Sequence, residues 1–390
     1  MHKSPKATPV GRAGRAHVLI LRGHQSNPWE LRPWERPAIA DRYDVSYLRS
    51  RRGWFDTSSL SLPSRRVWTV RDLLPPGTLG DFAVRVPGEH YLGLPSKLRD
   101  ANIVHTQELG YWYSAQAAKL KSRLGFRLVT TVWETIPFLE AYRNVRTRPY
   151  RSLVLEHTDL FLAATERARD SLLLEGASAD RIRVCPPGID TTRFEARSNV
   201  SNSKEPLILS PGRLVWEKGH QDVLRAVALV RRGLAPSGGS NAGVRLCIVG
   251  SGPEERRLRA YARELGIADA VEFRGFIPYD EMPAVYRGAA CMVLASLPIW
   301  SWEEQFGMVL AEAMAAGTPI LASTSGAIPE VAAGNAAFFS PGDWVGLARQ
   351  LADVLNRERK GAGPRHDYST DAAATRIAAA YAELLAGDVG

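Results

Sequence analysis

The chain has 390 residues, 45% hydrophobic and 23% charged, with a formal net charge of +9. That length exceeds one ordinary core and suits two domains, and the balance excludes a disordered chain or a small disulfide scaffold. No apolar run is long enough to span a membrane, which excludes an integral helical membrane protein.

The first fifteen residues are basic and rich in small side chains, without the apolar stretch of a signal peptide, so 1–15 reads as a short disordered tail. Apolar runs at 17–21, 43–47, 103–105, 127–132, 160–163 and 181–184 read as strands. Helical patterns lie between several of them, at 112–123, 150–157 and 166–175. A polar, breaker-rich stretch at 196–206 marks a domain boundary. Beyond it strands at 207–210, 245–249, 271–274, 291–295 and 319–322 alternate with helices at 221–232, 254–265, 308–316 and 344–356. The loop 235–243 reads as a surface insertion, and 371–386 as an amphipathic helix. Such alternation predicts α/β domains with parallel sheets, whose ligand sites lie at the carboxyl ends of the strands.

Cys185, Cys247 and Cys291 form no C-x-x-C pair, and Cys247 and Cys291 sit in apolar runs. They read as buried free thiols, which fits a reducing, cytoplasmic compartment. The positive charge is uneven. Residues 1–195 hold 30 Lys and Arg against 20 Asp and Glu, and the remainder hold 20 against 21. Arg49, Arg51, Arg52, Arg65, Arg66, Arg143, Arg146, Arg148 and Arg151 contribute. An anionic membrane surface or phosphate groups would suit this half, and so would plain solvent. No nucleic-acid motif accompanies the charge, so no nucleic-acid partner is expected.

The chemistry concentrates in the second half. After the 207–210 strand, Arg213 and Lys218 flank a glycine-bearing loop, a fork and a point charge suited to a diphosphate; a solvated surface loop is the alternative. Gly250-Ser251-Gly252-Pro253 lacks the third glycine of a dinucleotide fingerprint and reads as strand-to-helix punctuation. The strand 271–274 ends in a turn at Phe276 whose backbone could meet a nucleobase edge. In Glu304-Gln305-Phe306-Gly307-Met308-Val309-Leu310-Ala311-Glu312, two carboxylates bracket the start of a helix. The first-turn N–H groups there lack internal partners and can bind phosphate. The alternative is a capping acid plus a surface glutamate.

These motifs, in this order and spacing, resemble glycosyltransferase family 4. The set comprises Arg213…Lys218-Gly219, Gly250-x-Gly252-Pro253, Phe273-x-Gly275 and Glu304 followed by Glu312-Ala313-Met314-Ala315-x-Gly317-x-Pro319. Weaker echoes lie at 101–105, 164–168 and 188–194. The resemblance implies a retaining, nucleotide-sugar-dependent transferase of the GT-B fold. That fold has two Rossmann-like doubly wound domains facing a cleft and a C-terminal helix crossing back to the first. The corresponding segments are an acceptor domain at 16–195, a linker at 196–206, a donor domain at 207–370 and the returning helix at 371–390.

Carried over residue by residue, Arg213 and Lys218 match the diphosphate-binding pair. Glu312 matches the acid on the ribose hydroxyls, and Glu304 the acid on the donor sugar. Phe306 and the backbone of Gly307, Met308 and Val309 match the cradle for phosphate and sugar, and Phe276 the base-reading turn. The resemblance implies no metal and no cofactor; the nucleotide sugar is a co-substrate. The acceptor would be a carbohydrate or lipid-linked molecule, with a cell-envelope or exopolysaccharide role at the inner face of a membrane.

The first half departs from the family pattern twice. One glycine, Gly23, follows the first strand where many members have two. Trp133, followed by Glu134, stands where many have a histidine. Gly23, His24, His105, Trp133 and Glu134, together with Trp29, Trp34 and Glu108, are the acceptor-side candidates. The alternative makes Trp29 and Trp34 loop anchors and His105 a satisfied core histidine. Competing functions are a nucleotide-sugar epimerase, a catalytically silent nucleotide-sugar-binding subunit and a two-lobed solute-binding protein.

Overall fold

The structure, a computed structural model, describes residues 14–75, 77–84, 88–139, 147–194, 205–235, 242–356 and 368–386. Most of the expected tail 1–15, linker 196–206 and loop 235–243, with Arg143 and Arg146, lies outside the described residues. The chain divides into two units, Met1–Gly188 with Thr370–Gly390, and Ile189–Ser369. Residues 189–194 thus group with the second unit, ahead of the polar stretch at 196–206. Phe194 packs edge-on against Tyr279 and Tyr286, and the Ile189 N–H donates to the Tyr368 carbonyl at 2.8 Å.

The first unit is built on β1 (Ala16–Leu21), β2 (Tyr43–Ser50), β3 (Ser64–Val67), β4 (Ile103–Gln107), β5 (Arg127–Val132), β6 (Leu160–Ala163) and β7 (Ile182–Val184). They form one sheet in the order β3-β2-β1-β4-β5-β6-β7, every pairing parallel. The second unit carries β8 (Leu207–Pro211), β9 (Arg245–Val249), β10 (Val271–Arg274), β11 (Cys291–Leu294), β12 (Ile320–Ser323) and β13 (Ala336–Phe339). Their order is β10-β9-β8-β11-β12-β13, again all parallel. The Rossmann-like α/β architecture expected from the alternation is present in both units.

Helices pack against the sheets, and the central strands are largely buried; β6 and β11 are buried at every position. Two strands escape the sequence reading. β3 (Ser-Arg-Arg-Val) is a polar edge strand, and β13 is a short strand of alanines and phenylalanines. All three cysteines are buried and free. Arg151 is no surface cation: it forms a buried ion pair with Glu175.

The Thr370–Ala386 helix packs on one face of the first sheet. Ala374, Ile377, Ala378 and Tyr381 join Val18, Ile20, Val45, Ile103 and Val129 in one apolar cluster. Within it the Trp34 Nε1–H donates to Tyr381 Oη at 2.9 Å, and Tyr381 Oη meets His105 Nδ1 at 2.5 Å. His105 Nε2 completes the chain to Thr131 Oγ1 at 2.7 Å. Burial holds the His105 pKa well below its ordinary value, so the ring is neutral. A Tyr381 hydroxyl donating to Nδ1 and an Nε2–H donating to Thr131 satisfy every member.

This network corrects two acceptor-side expectations. His105 is fully buried with both nitrogens engaged by protein, and Trp34 is a core anchor. Tyr381→Phe strands the buried Trp34 N–H and His105 Nδ1. It should cost about 1–3 kcal/mol for the unpaired groups, read as a lower urea midpoint with an unchanged m-value.

Candidate functional site

In each sheet the strand order reverses beside the first strand of its unit, between β1 and β4 and between β8 and β11. Connections leave in opposite directions there, so a crevice opens at the carboxyl ends of the two strands. Most of the sequence candidates lie on the loops around these two points.

In the second unit the loop after β8 is seated by His220. Ser210 Oγ meets its Nδ1 at 2.8 Å, and its Nε2 lies 3.2 Å from the Arg213 carbonyl. Burial lowers the His220 pKa to about 4, so a neutral ring holds the carbonyl through Nε2–H. At Gly219, with φ +69, a Cβ would stand 1.9 Å from the Ala295 carbonyl oxygen. Only glycine lets this loop close against the end of β11. The Leu297 N–H donating to the Glu217 carbonyl at 2.8 Å ties the two loops.

That contact brings Lys218 to Glu304. The ammonium lies 2.7 Å from Glu304 Oε2, which also accepts from Ser296 Oγ at 2.7 Å. Lys218 stands 4.7 Å from the centre of the Trp302 ring. Both side chains of the pair are largely buried, an arrangement that adds little net stability after desolvation. A third loop fixes the Glu304 backbone, whose carbonyl accepts from the Ala327 N–H at 2.8 Å. Arg213 is different. Its side chain is 64% exposed, with Glu217 at 4.0 Å, so its guanidinium is open to an incoming anion.

Gly307, at φ +78, turns the chain left-handed into the Met308–Ala315 helix and provides no side-chain cap for its first N–H groups. Met308 and Val309 are half-buried, so this first turn is accessible. Phe306 is a core residue packed edge-on against Tyr368, so a ligand would meet its backbone and not its ring. Phe276, after the edge strand β10, is exposed.

Glu312 lies on the same helix and is buried. Tyr286 Oη donates to its Oε2 at 2.6 Å. Burial raises the carboxyl to about 7, against the lowering effect of that hydrogen bond. Sequence reasoning missed Ser296, Trp302, Tyr286 and His220. Tyr286 and Trp302 meet partners 26 and 84 residues away, while His220 and Ser296 act on neighbours within ten residues, and none of the four residue types carries a spacing signal here.

At the first unit's crevice, Gly23 donates its N–H to Tyr91 Oη at 2.8 Å, and the His24 Nδ1 pairs with Glu89. Glu89 also accepts from Ser50 Oγ at 2.8 Å. His24 and Glu89 line a cavity of about 230 Å³ with Arg22, Tyr111, Trp112 and Tyr113. Trp133 and Glu134 are not among its lining residues. They follow β5, where the Trp133 N–H donates to Glu108 Oε1 at 2.8 Å. Burial, with Glu134 nearby, raises the Glu108 carboxyl to about 8. Among the described residues no group of three or more His, Cys, Asp and Glu is arranged to hold a metal ion.

A family model described as "Glycosyl transferases group 1" matches residues 191–374, and one described as "Glycosyltransferase Family 4" matches 21–193. The chain is 31% identical over 319 residues to a D-inositol 3-phosphate glycosyltransferase of Segniliparus rotundus, covering 73% of this chain and 67% of that protein. It is 30% identical over 251 residues to a GDP-mannose-dependent alpha-(1-6)-phosphatidylinositol monomannoside mannosyltransferase of Mycobacterium tuberculosis, covering 59% and 62%. With other curated relatives the match spans about half of their length, 53% in one case. The fold matches that of Anabaena HepE, solved with UDP and glucose, at a TM-score of 0.71 and 20% identity over 96% of this chain and 100% of that one.

Because its folded pKa lies above the ordinary 4.5, Glu312 favours the fold fully below that value, and this contribution is lost as pH rises through 7. Tyr286→Phe removes the lowering hydrogen bond and should move the Glu312 carboxyl titration above 7, read by NMR of a ¹³C-labelled carboxyl.

Proposed function

This chain belongs to glycosyltransferase family 4, with a group 1 domain in its second half and the GT-B type of fold, and we propose that it moves a hexose from a nucleotide diphosphate sugar to an acceptor hydroxyl with retention. The observation that carries this reading is the meeting of Lys218 and Glu304 at the second unit's switch point, beside exposed Arg213 and the uncapped helix start at Gly307.

The leaving diphosphate gains negative charge as the glycosidic bond breaks. Arg213, Lys218 and the first-turn N–H groups are set to stabilise that charge without reorganising. Glu304, already gripped by Lys218 and Ser296, suits accepting a sugar hydroxyl better than attacking carbon. Its ionic partner would be shared with the arriving phosphate. Glu312, balanced near neutrality, accepts the ribose hydroxyls as a carboxylate. In this mechanism the leaving phosphate takes the acceptor's proton, and protein cations supply the charge that a metal would otherwise bring.

The acceptor side is proposed for the first unit, at a membrane surface in cell-envelope glycoconjugate synthesis. The name of the mycobacterial relative, a mannosyltransferase of a phosphatidylinositol glycoside, supports a lipid-linked acceptor. So does the surface itself. Trp54, Trp68, Leu73, Leu79 and Phe82 are exposed, and the Arg51 guanidinium stands 4.3 Å over the Trp68 ring. Arg65 and Arg66 are exposed on β3. Aromatics interleaved with arginine suit an anionic headgroup layer. No helix among the described residues is long and apolar enough to cross a membrane.

A panel of UDP-, GDP- and ADP-sugars should raise the melting temperature with one nucleotide preferred. Arg213→Ala and Lys218→Ala should each lower kcat/KM by about 10²–10³ while activity survives chelation. No shift with any donor overturns the reading, and release of a sugar isomer without acceptor points to the epimerase. Vesicles containing phosphatidylglycerol should co-sediment the protein, and Trp68→Ser with Phe82→Ser should weaken that binding about tenfold or more.

A further inference from the structure

A cavity of about 280 Å³ lies at the other end of the first sheet. Arg15 precedes β1, Tyr43 and Asp44 open β2, and Leu62 and Pro63 precede β3. These lining residues therefore gather at the amino ends of three neighbouring parallel strands. The ligand crevice of a doubly wound sheet opens at the carboxyl ends, so strand order alone does not account for this cavity.

Its floor is apolar because two polar atoms are turned away from it. The Trp34 Nε1–H donates to Tyr381 Oη at 2.9 Å, and the Tyr43 hydroxyl donates to the Ala378 carbonyl at 3.3 Å. Both partners belong to the Thr370–Ala386 helix, which leaves ring carbons and Leu62 for the cavity. The rim is charged. Glu35 is already matched: its Oε1 accepts from the Ser61 N–H and hydroxyl, and its Oε2 lies 3.5 Å from Arg32 Nη1. Arg15 donates from Nη1 to the Ala40 carbonyl at 3.0 Å, and a guanidinium has further N–H groups to give. Arg15 and Asp44 both line the cavity, and among the described residues neither forms an ion pair.

One open cation and one open anion over an apolar floor complement a ligand that carries both charges on an apolar body. A simple amine or a simple carboxylate would answer only one of them. The volume lies just under the range of about 300–1,000 Å³ that houses drug-sized ligands, which suits a single amino acid.

Trp34 also reaches the crevice at the carboxyl ends. The Arg22 guanidinium stands 5.5 Å from the centre of its ring, and Arg22 lines the crevice cavity with His24 and Glu89. The same indole is a wall of one cavity and a support for a cation of the other.

We propose that the amino-end cavity is an effector site for an amino acid with an apolar side chain, its ammonium on Asp44 and its carboxylate on Arg15, and that the Trp34 ring transmits occupancy to Arg22. A ligand that packs better against one position of the ring than another biases Arg22 by that difference. The proposal goes beyond the transferase reading and stands without it.

The test uses the full chain and saturation-transfer NMR. L-phenylalanine should receive saturation. Phenethylamine and 3-phenylpropionate, which each lack one charge, and glycine, which lacks the apolar body, should bind about tenfold or more weakly. Asp44→Asn and Arg15→Gln should each weaken L-phenylalanine binding about tenfold and leave the melting temperature unchanged. In ¹⁵N-labelled protein, L-phenylalanine should shift the Trp34 indole N–H and the Arg22 Nε–H resonances. The first is assigned by its response to Tyr381→Phe, the second by its loss in Arg22→Lys. Absence of L-phenylalanine binding, equal binding of any of the three truncated probes, indifference to both rim substitutions, or binding that leaves the Arg22 resonance unmoved overturns the proposal.

Discussion

Parallel strands joined by crossovers of one hand can extend a sheet in only one direction from a given strand, unless the chain restarts on the strand's other side. Both units restart, and each restart leaves a gap at the carboxyl ends of adjacent strands, β1 with β4 and β8 with β11. Much of the chemistry in this chain depends on that constraint. It brings Lys218 to Glu304 across 86 residues of sequence and sets His24 beside Tyr113. The loops are free to vary because the strands beneath them are buried and parallel.

The two crevices solve different electrostatic problems. The second unit keeps one cation engaged, with Lys218 held by Glu304 and supported by Trp302, and leaves Arg213 in solvent. A buried pair of this kind contributes little stability, but it holds both groups in position for a ligand carrying phosphate and hydroxyls. The first unit does the reverse. It buries a guanidinium nitrogen and a phenol without partners, and balances them with a carboxylate–imidazole pair.

Much of the fold was legible in the sequence because strand burial on both faces produces short continuous apolar runs. β5, β9 and β10 fall where the pattern places them. β3 and β13 were not legible: an edge strand of serine and arginines is chosen by its single neighbour, not by its own apolarity. Among the candidate residues, the motif around Gly307 placed an uncapped helix start correctly because glycine before an apolar helix has a local conformational meaning. His105 misled for the opposite reason. Its position at a strand end suggested a ligand, while its two partners, Tyr381 and Thr131, lie 276 and 26 residues away.

By itself the sequence determined the α/β class, the order of most strands and helices, and the positions of Arg213, Lys218, Glu304 and Glu312 on loops or a helix start. These follow from local periodicity and from the glycine turns that end strands and start helices. Tertiary structure alone decided which charges meet and which are buried. It decided that Phe306 turns into the core, that Glu312 sits near neutrality beside Tyr286, and that Arg22 and Tyr113 line one cavity. Burial and pairing are properties of several segments at once, and no single stretch of sequence records the dielectric in which its side chains will titrate.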